Sequence, residues 1–277
     1  MQVYHVGDTT YYYQKPRPFS FITKIPATYP VAARNVFRKQ NIRPFAIILA
    51  STAALILADQ GISNKVQQAS NYIGLDNTRA YGKSIAFKVG GFKVDIYDVP
   101  KNLNTAVYSM GEGIPPIILA GGLWGFGLAK KDYRAISTAS QIVQATTAAG
   151  FVTQFIKRTT GRESPFRATR HGGAWRPLPA FSEYQNNTSR YDAFSSGHMG
   201  TMVATYVVLT ENYPEKKWIK PVGLTIMSLV GVAMINNGVH WSSDYPLAVG
   251  IGYAVGKATV HLNRFVKGEK LLTRKRR

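Results

Sequence analysis

Residues 135–156 read AISTASQIVQATTAAGFVTQFI, a run of 22 positions without one Asp, Glu, Lys or Arg, and they lead directly into KRTTGRESPFR at 157–167. At about 1.5 Å of rise per residue such a run is long enough, as a helix, to cross ~30 Å of hydrocarbon. Five more charge-free runs follow the same pattern, at 45–58, 114–129, 197–210, 221–239 and 245–256. Only 221–239 approaches the ~20 residues of a full span, and the others need flanking residues to complete one. All six are rich in Leu, Ile, Val, Ala, Gly and Thr, and small residues let helix backbones approach closely inside a bilayer. The expectation is an all-α fold: a polytopic helical membrane bundle of about six spans with a polar N-terminal extension. The competing reading is a soluble all-α domain with buried helices, since short apolar runs suit both.

Composition narrows the choice. Charged residues make up 17% of the 277 positions, below the ~25% usual for soluble domains, while 45% are hydrophobic. A mean hydropathy of -0.11 requires polar segments to dilute the spans. With no cysteine there is no disulfide, no thiolate nucleophile and no Cys-ligated metal. The formal charge of +20 suits nucleic acid, an anionic membrane surface or a phosphorylated substrate, so the placement of the cations decides. They cluster at 1–43, at Lys130, Lys131 and Arg134, at Lys216, Lys217 and Lys220, and at 264–277. These are alternate connections of a six-span chain, so the positive-inside rule makes the protein integral to a membrane with both termini cytoplasmic. The basic excess is then topology rather than a nucleic-acid footprint, and no nucleic acid is expected as a partner.

The chain accordingly divides into a basic and aromatic extension at 1–43, a membrane domain at 44–263 and a basic tail at 264–277. The extension lacks the apolar core of a signal peptide, and either lies on the membrane surface or extends as a cytoplasmic tail. The outer segments fall at about 59–113 and 157–195. Residues 92–99 alternate enough for a short strand, in which no chemistry is read.

Three weak signals converge on the non-cytoplasmic face. His198 sits in FSSGH at 194–198, where Ser and Gly open a helix with free N–H groups, an anion site or a plain cap. His240 precedes Asp244 by four residues, a spacing that lets the carboxylate reach the imidazole, although surface pairs share it. The run 157–167 gathers cations and hydroxyls, which a solvated loop also would. Together they offer donors for a phosphate, one imidazole as nucleophile and another as proton donor.

In order and spacing these residues resemble the type 2 phosphatidic acid phosphatase and vanadium haloperoxidase superfamily. Its pattern is K-x(6)-R-P, then P-S-G-H, then S-R-x(5)-H-x(3)-D. Lys157 and Pro165, then Ser196, Gly197 and His198, then His240 and Asp244 match, and the resemblance spans about 45–261. Four positions depart: Ser164 and Met234 stand where the family has arginines, Ala233 replaces the serine and Ser195 the proline. The resemblance implies a membrane phosphatase acting on a lipid phosphate monoester or pyrophosphate, without metal or other cofactor. It implies His240 as nucleophile, Asp244 as its orienting carboxylate, His198 as acid, and Lys157, Ser196 and Gly197 as phosphate ligands. The missing guanidiniums leave Arg158, Arg162, Arg167 and Asn237 as substitute clamps. The alternative is an inactive pseudoenzyme that binds a lipid phosphate or organises a membrane-protein complex. A haloperoxidase reading is set aside, because the absent arginines are those that would hold vanadate.

Overall fold

The structure, a computed structural model, describes residues 1–89 and 92–266. The elements run β1 (Gln2–Val6), β2 (Thr9–Tyr13), α1 (Ser20–Thr23), α2 (Ile25–Val36), α3 (Ile42–Tyr72), β3 (Tyr81–Val89), β4 (Phe92–Pro100), α4 (Leu103–Ser109) and α5 (Ile114–Ala129). They continue with α6 (Tyr133–Thr160), α7 (Phe181–Asn186), α8 (Gly197–Asn212), α9 (Ile219–Asn236), α10 (Asp244–Asn263) and β5 (Phe265–Val266). Each of the six charge-free runs falls on a helix of its own, α3, α5, α6, α8, α9 and α10, with 237–239 of the fifth run lying in the turn beyond α9.

The centre of the bundle is α6, α8 and α10. Ile142, Ala145, Ala148 and Ala149 of α6 pack with Ala204 and Val208 of α8 and with Val255 and Val260 of α10. A second apolar cluster joins Tyr108 of α4, Met199 and Val203 of α8, and Val230 and Met234 of α9. The α8–α10 contact is close because small residues face each other. A Cβ on Gly252 would come within 2.4 Å of the Gly200 carbonyl oxygen, and one on Gly256 within 2.9 Å of Val207 Cβ. Polar side chains on the inner face of α6 are satisfied across the bundle: Asn212 donates to Gln141 Oε1 (2.7 Å), and Gln144 donates to Thr28 Oγ1 (2.9 Å).

Three features of the structure bear on these expectations. First, the chain is mostly helical but not all-α. Strands β1, β2 and β5 form a small antiparallel sheet, and β3 and β4, the latter covering the strand read at 92–99, form a hairpin. Second, among the described residues only two helices are long and apolar enough to cross a membrane, 39–72 and α9, with a third span if α4 and α5, bent by 57°, count as one. Helix α6 is long but dilutes its apolar residues with Ser, Thr and Gln, and α8 has 16 residues, about 24 Å of helix. Third, residues 1–43 are folded onto the bundle. Tyr13 is fully buried and its hydroxyl donates to Asn212 Oδ1 (3.0 Å), and Tyr4 donates to Asp132 (2.8 Å). The rings of Tyr4, Tyr13 and Tyr213 surround the Arg134 guanidinium, while Val31 and Ala32 of α2 pack on Ala258 of α10. Of the basic tail, 267–277 lie outside the described residues.

Candidate active site

Four helix ends meet at one end of the bundle: the C-termini of α6 and α9 and the N-termini of α8 and α10. Helix α6 delivers Lys157 in its last turn and stops at Gly161, whose φ of 58° is left-handed. No other residue fits there, because a Cβ would overlap the Arg176 carbonyl. The chain then turns inward, and Arg162 bridges backbone to both Trp175 and Asp192. Glu163 pins the outer loop. Burial pushes its carboxyl pKa up, but the N–H groups of Thr169 and Ala174 and the Arg176 guanidinium outweigh this and hold it at about 2.

Ser196 caps α8, its Oγ accepting from Met199 N–H (3.3 Å), so the free N–H groups of that helix open toward Lys157. A Cβ at Gly197 would stand 3.9 Å from Lys157 Nζ, which itself pairs with Asp192 at 3.3 Å. At the far end of α9 the chain reverses at Gly238 (φ 65°), where Phe166 donates its N–H to the Gly238 carbonyl. This turn carries His240, only 2% exposed. Helix α10 begins at Asp244, whose Oδ2 accepts the Trp241 N–H at 2.8 Å.

The geometry fixes the His240 tautomer. Its Nδ1 lies 2.9 Å from the Ala193 carbonyl oxygen and 3.3 Å from Asp244 Oδ2. Both oxygens only accept, so Nδ1 carries the proton. Nε2 keeps its lone pair and has no hydrogen-bond partner among the described residues. The His198 ring faces it, with centroids 5.7 Å apart, and is flanked by Tyr108 at 5.1 Å. An unprotonated imidazole nitrogen, a second imidazole, a helix N-terminus and an ammonium thus surround one space.

The four residues read as substitute clamps are placed differently. Arg162 is fully buried and points into the protein, donating to Asp244 Oδ1 (2.8 Å), Asp59 Oδ2 (2.7 Å), Ser243 Oγ (2.6 Å) and the Gly172 carbonyl (2.8 Å). Arg158 stacks on Phe181 and Tyr184 beside α7, and Arg167 lies exposed near the Phe166 ring. Asn237 accepts from Asn104 and leaves its Nδ2 unpartnered within the protein. At the departures, Ser164 is buried, with its N–H bound to the Ser189 carbonyl (3.0 Å). Ala233 and Met234 are buried in the wall, Met234 Sδ lying 3.9 Å from Ser196 Oγ. Ser195 Oγ is buried without a partner among the described residues. No group of three or more His, Asp or Glu side chains there is placed to hold a metal ion.

Sequence reasoning missed Asp59, whose carboxylate accepts from Ser242 Oγ (2.7 Å) and Ser243 N–H (2.9 Å) as well as Arg162. A signal existed: an acidic residue closing an apolar membrane run is a functional candidate by its cost alone. Asp192, Tyr108 and Arg79 gave none.

The family model described as PAP2 superfamily matches residues 138–267. Among solved structures the chain is similar to the first transmembrane PAP2 type phosphatidylglycerolphosphate phosphatase from Bacillus subtilis. The identity is 16%, the alignment covers 88% of this chain and 96% of that one, and the TM-score is 0.39. No curated protein sequence matches.

Proposed function

We propose that the protein is an integral membrane phosphatase that hydrolyses a lipid phosphate, monoester or pyrophosphate, through a phosphohistidine at His240. The observation that carries this reading is the His240 Nε2 lone pair, held by Nδ1 contacts to Ala193 and Asp244 and directed beside His198. Nε2 attacks phosphorus, the phosphorus–oxygen bond to the lipid breaks, and the departing alkoxide takes a proton from His198. Water then attacks the phosphohistidine, returns a proton to His198 and releases inorganic phosphate and free Nε2. Asp244 stabilises the imidazolium that forms between the two steps. Lys157 Nζ, the Ser196 hydroxyl and the Gly197 N–H bind the phosphate oxygens, where the positive end of α8 reinforces them.

In this reading α3, the bent α4–α5 pair, α6, α8, α9 and α10 make six crossings. The polar faces of α6 and α8 are shielded by their neighbours, the His240 face is non-cytoplasmic and both termini are cytoplasmic. Residues 1–43 act as a cytoplasmic cap on the 44–263 membrane domain.

A second reading, a lipid-phosphate binder without turnover, draws on one observation, the thioether of Met234 facing Ser196 where a guanidinium would bind. Phosphate release from a panel of lipid phosphates by detergent-purified protein separates the two. Release that is abolished in His240→Ala and inhibited by orthovanadate is the expected result. A folded protein that binds vanadate but releases no phosphate supports the binder instead.

A further inference from the structure

We infer that Arg79 supplies the guanidinium that engages the substrate's phosphoryl group in place of the arginines absent at positions 164 and 234. This rests on the phosphatase reading and extends it to a residue outside the 138–267 family region.

The argument begins with elimination. Of the guanidiniums around His240, Arg162 is consumed by two buried carboxylates and Arg176 by Glu163, while Lys157, an ammonium already assigned to the phosphate, is shared with Asp192. Arg158 is stacked on Phe181 and Tyr184, and Arg167, which shares the Phe166 ring at 5.6 Å, does not act on His198 as Arg79 does. Among the described residues, no carboxylate lies within ion-pair distance of Arg79. Glu112, whose charge also acts on Arg79, is held by the Tyr81 hydroxyl at 3.0 Å.

Position then singles it out. The Arg79 guanidinium carbon lies 5.3 Å from the Phe166 ring centroid, and Phe166 is two residues beyond Ser164, where the family arginine would stand. Tyr108 and His198, whose rings are 5.1 Å apart, both lie within electrostatic reach of it.

The backbone on both sides of Arg79 is fixed. Asp76 accepts from Asn236 Nδ2 (3.3 Å) through its carbonyl and from Thr78 N–H (2.8 Å) through its side chain. Thr78 and Ala80 are bound to Asn102 (3.0 Å) and Thr105 (3.1 Å) at the start of α4. The segment therefore spans from the turn that carries His240 to the helix that carries Tyr108. Its one long cation is exposed at the rim and held by its contact with the Phe166 ring, which a phosphate's oxygens outcompete through charge-assisted bonding.

The test compares wild type, Arg79→Ala, Arg79→Lys and the exposed outer-loop control Arg190→Ala in detergent. It measures kcat, KM, vanadate inhibition and the unfolding midpoint. Arg79→Ala is expected to lower kcat by about 10²–10³ with an unchanged midpoint and weakened vanadate inhibition, because one donor to the transferring group is lost. Added guanidinium ion should restore part of that rate, Arg79→Lys should retain an intermediate rate, and Arg190→Ala should match wild type. Rescue by guanidinium is not expected of a residue that merely holds the loop.

If Arg79→Ala keeps kcat and vanadate inhibition within about threefold of wild type, the inference is overturned while the phosphatase reading stands. If release survives His240→Ala, the phosphatase reading itself falls. If wild type releases nothing, vanadate-induced thermal stabilisation decides: its loss in Arg79→Ala sustains the clamp, and its persistence overturns it.

Discussion

The Arg162 guanidinium joins α3 to α10 by pairing at once with Asp59 and Asp244, all three side chains fully buried. Two carboxylates and one cation leave a net negative charge, which the hydroxyls of Ser242 and Ser243 and the Ser243 N–H help to disperse. Such a network is more costly to break than it is stabilising to possess, because removing one member strands another buried charge. We expect Asp59→Ala to destabilise the protein by about 3–5 kcal/mol and to lower kcat even where the protein stays folded, since Asp244 then shares Arg162 with no opposing anchor. Chemical unfolding in detergent and a kcat–pH profile check this; wild-type values for both would mean that Asp244 is held by its helix alone. The His240–Asp244 pair was legible in sequence because a spacing of four residues lets the turn before α10 bring the two side chains together. Asp59 was not, since its partner Arg162 is 103 positions away and only the tertiary fold joins them. Arg162 was legible as a cation near the site, but among several outer-loop arginines nothing in the sequence tells an inward guanidinium from an outward one.

Helices α8 and α10 carry the two halves of the chemistry, His198 at the start of one and Asp244 at the start of the other. Their spacing is set by Gly200 and Ala204 against Ala248, Gly252 and Gly256, and at Gly252 and Gly256 even one methyl group has no room. Gly252→Ala places its Cβ within 2.4 Å of a backbone oxygen, so the helices must separate, at a cost of about 1–3 kcal/mol. Gly121→Ala in α5 meets nothing within 4 Å and should gain about 0.5–1 kcal/mol from helix propensity. Thermal unfolding of the two variants side by side tests the seam, and equal tolerance would show that the α8–α10 contact does not limit stability. At this scale the sequence was most readable where absence of charge marked a helix, as at 135–156. It was least readable at TTYYY, residues 9–13, whose strand exists because β1 and β5 pair with it from opposite ends of the chain. Hydropathy likewise understates α6, whose Gln141 and Gln144 are polar in composition but satisfied by Asn212, Asn263 and Thr28 in the bundle centre.

Across the whole molecule, the proposed site and the short basic connections sit at opposite ends of the same helices. The α6 C-terminus and the α8 and α10 N-termini hold Lys157, His198 and Asp244, whereas the reverse ends hold Arg134, the Lys216 and Lys217 pair and Arg264. This is the arrangement expected if each of these helices crosses the membrane and the basic ends face the cytoplasm. Helix α8 is the severest case, since 16 residues give only about 24 Å, and it crosses only if flanking residues and a locally thin or tilted arrangement complete the span. Because the chain contains no cysteine, single cysteines report topology without background. Ser182 in α7 and Lys216 beyond α8 are both exposed and bracket this one helix. In intact cells a membrane-impermeant maleimide should label Ser182→Cys and spare Lys216→Cys until the membrane is permeabilised. The reverse pattern would invert the orientation and put the His240 site in the cytoplasm, while labelling of both from one side would mean that α8 does not cross and that the site is reached from the same compartment as the basic loops.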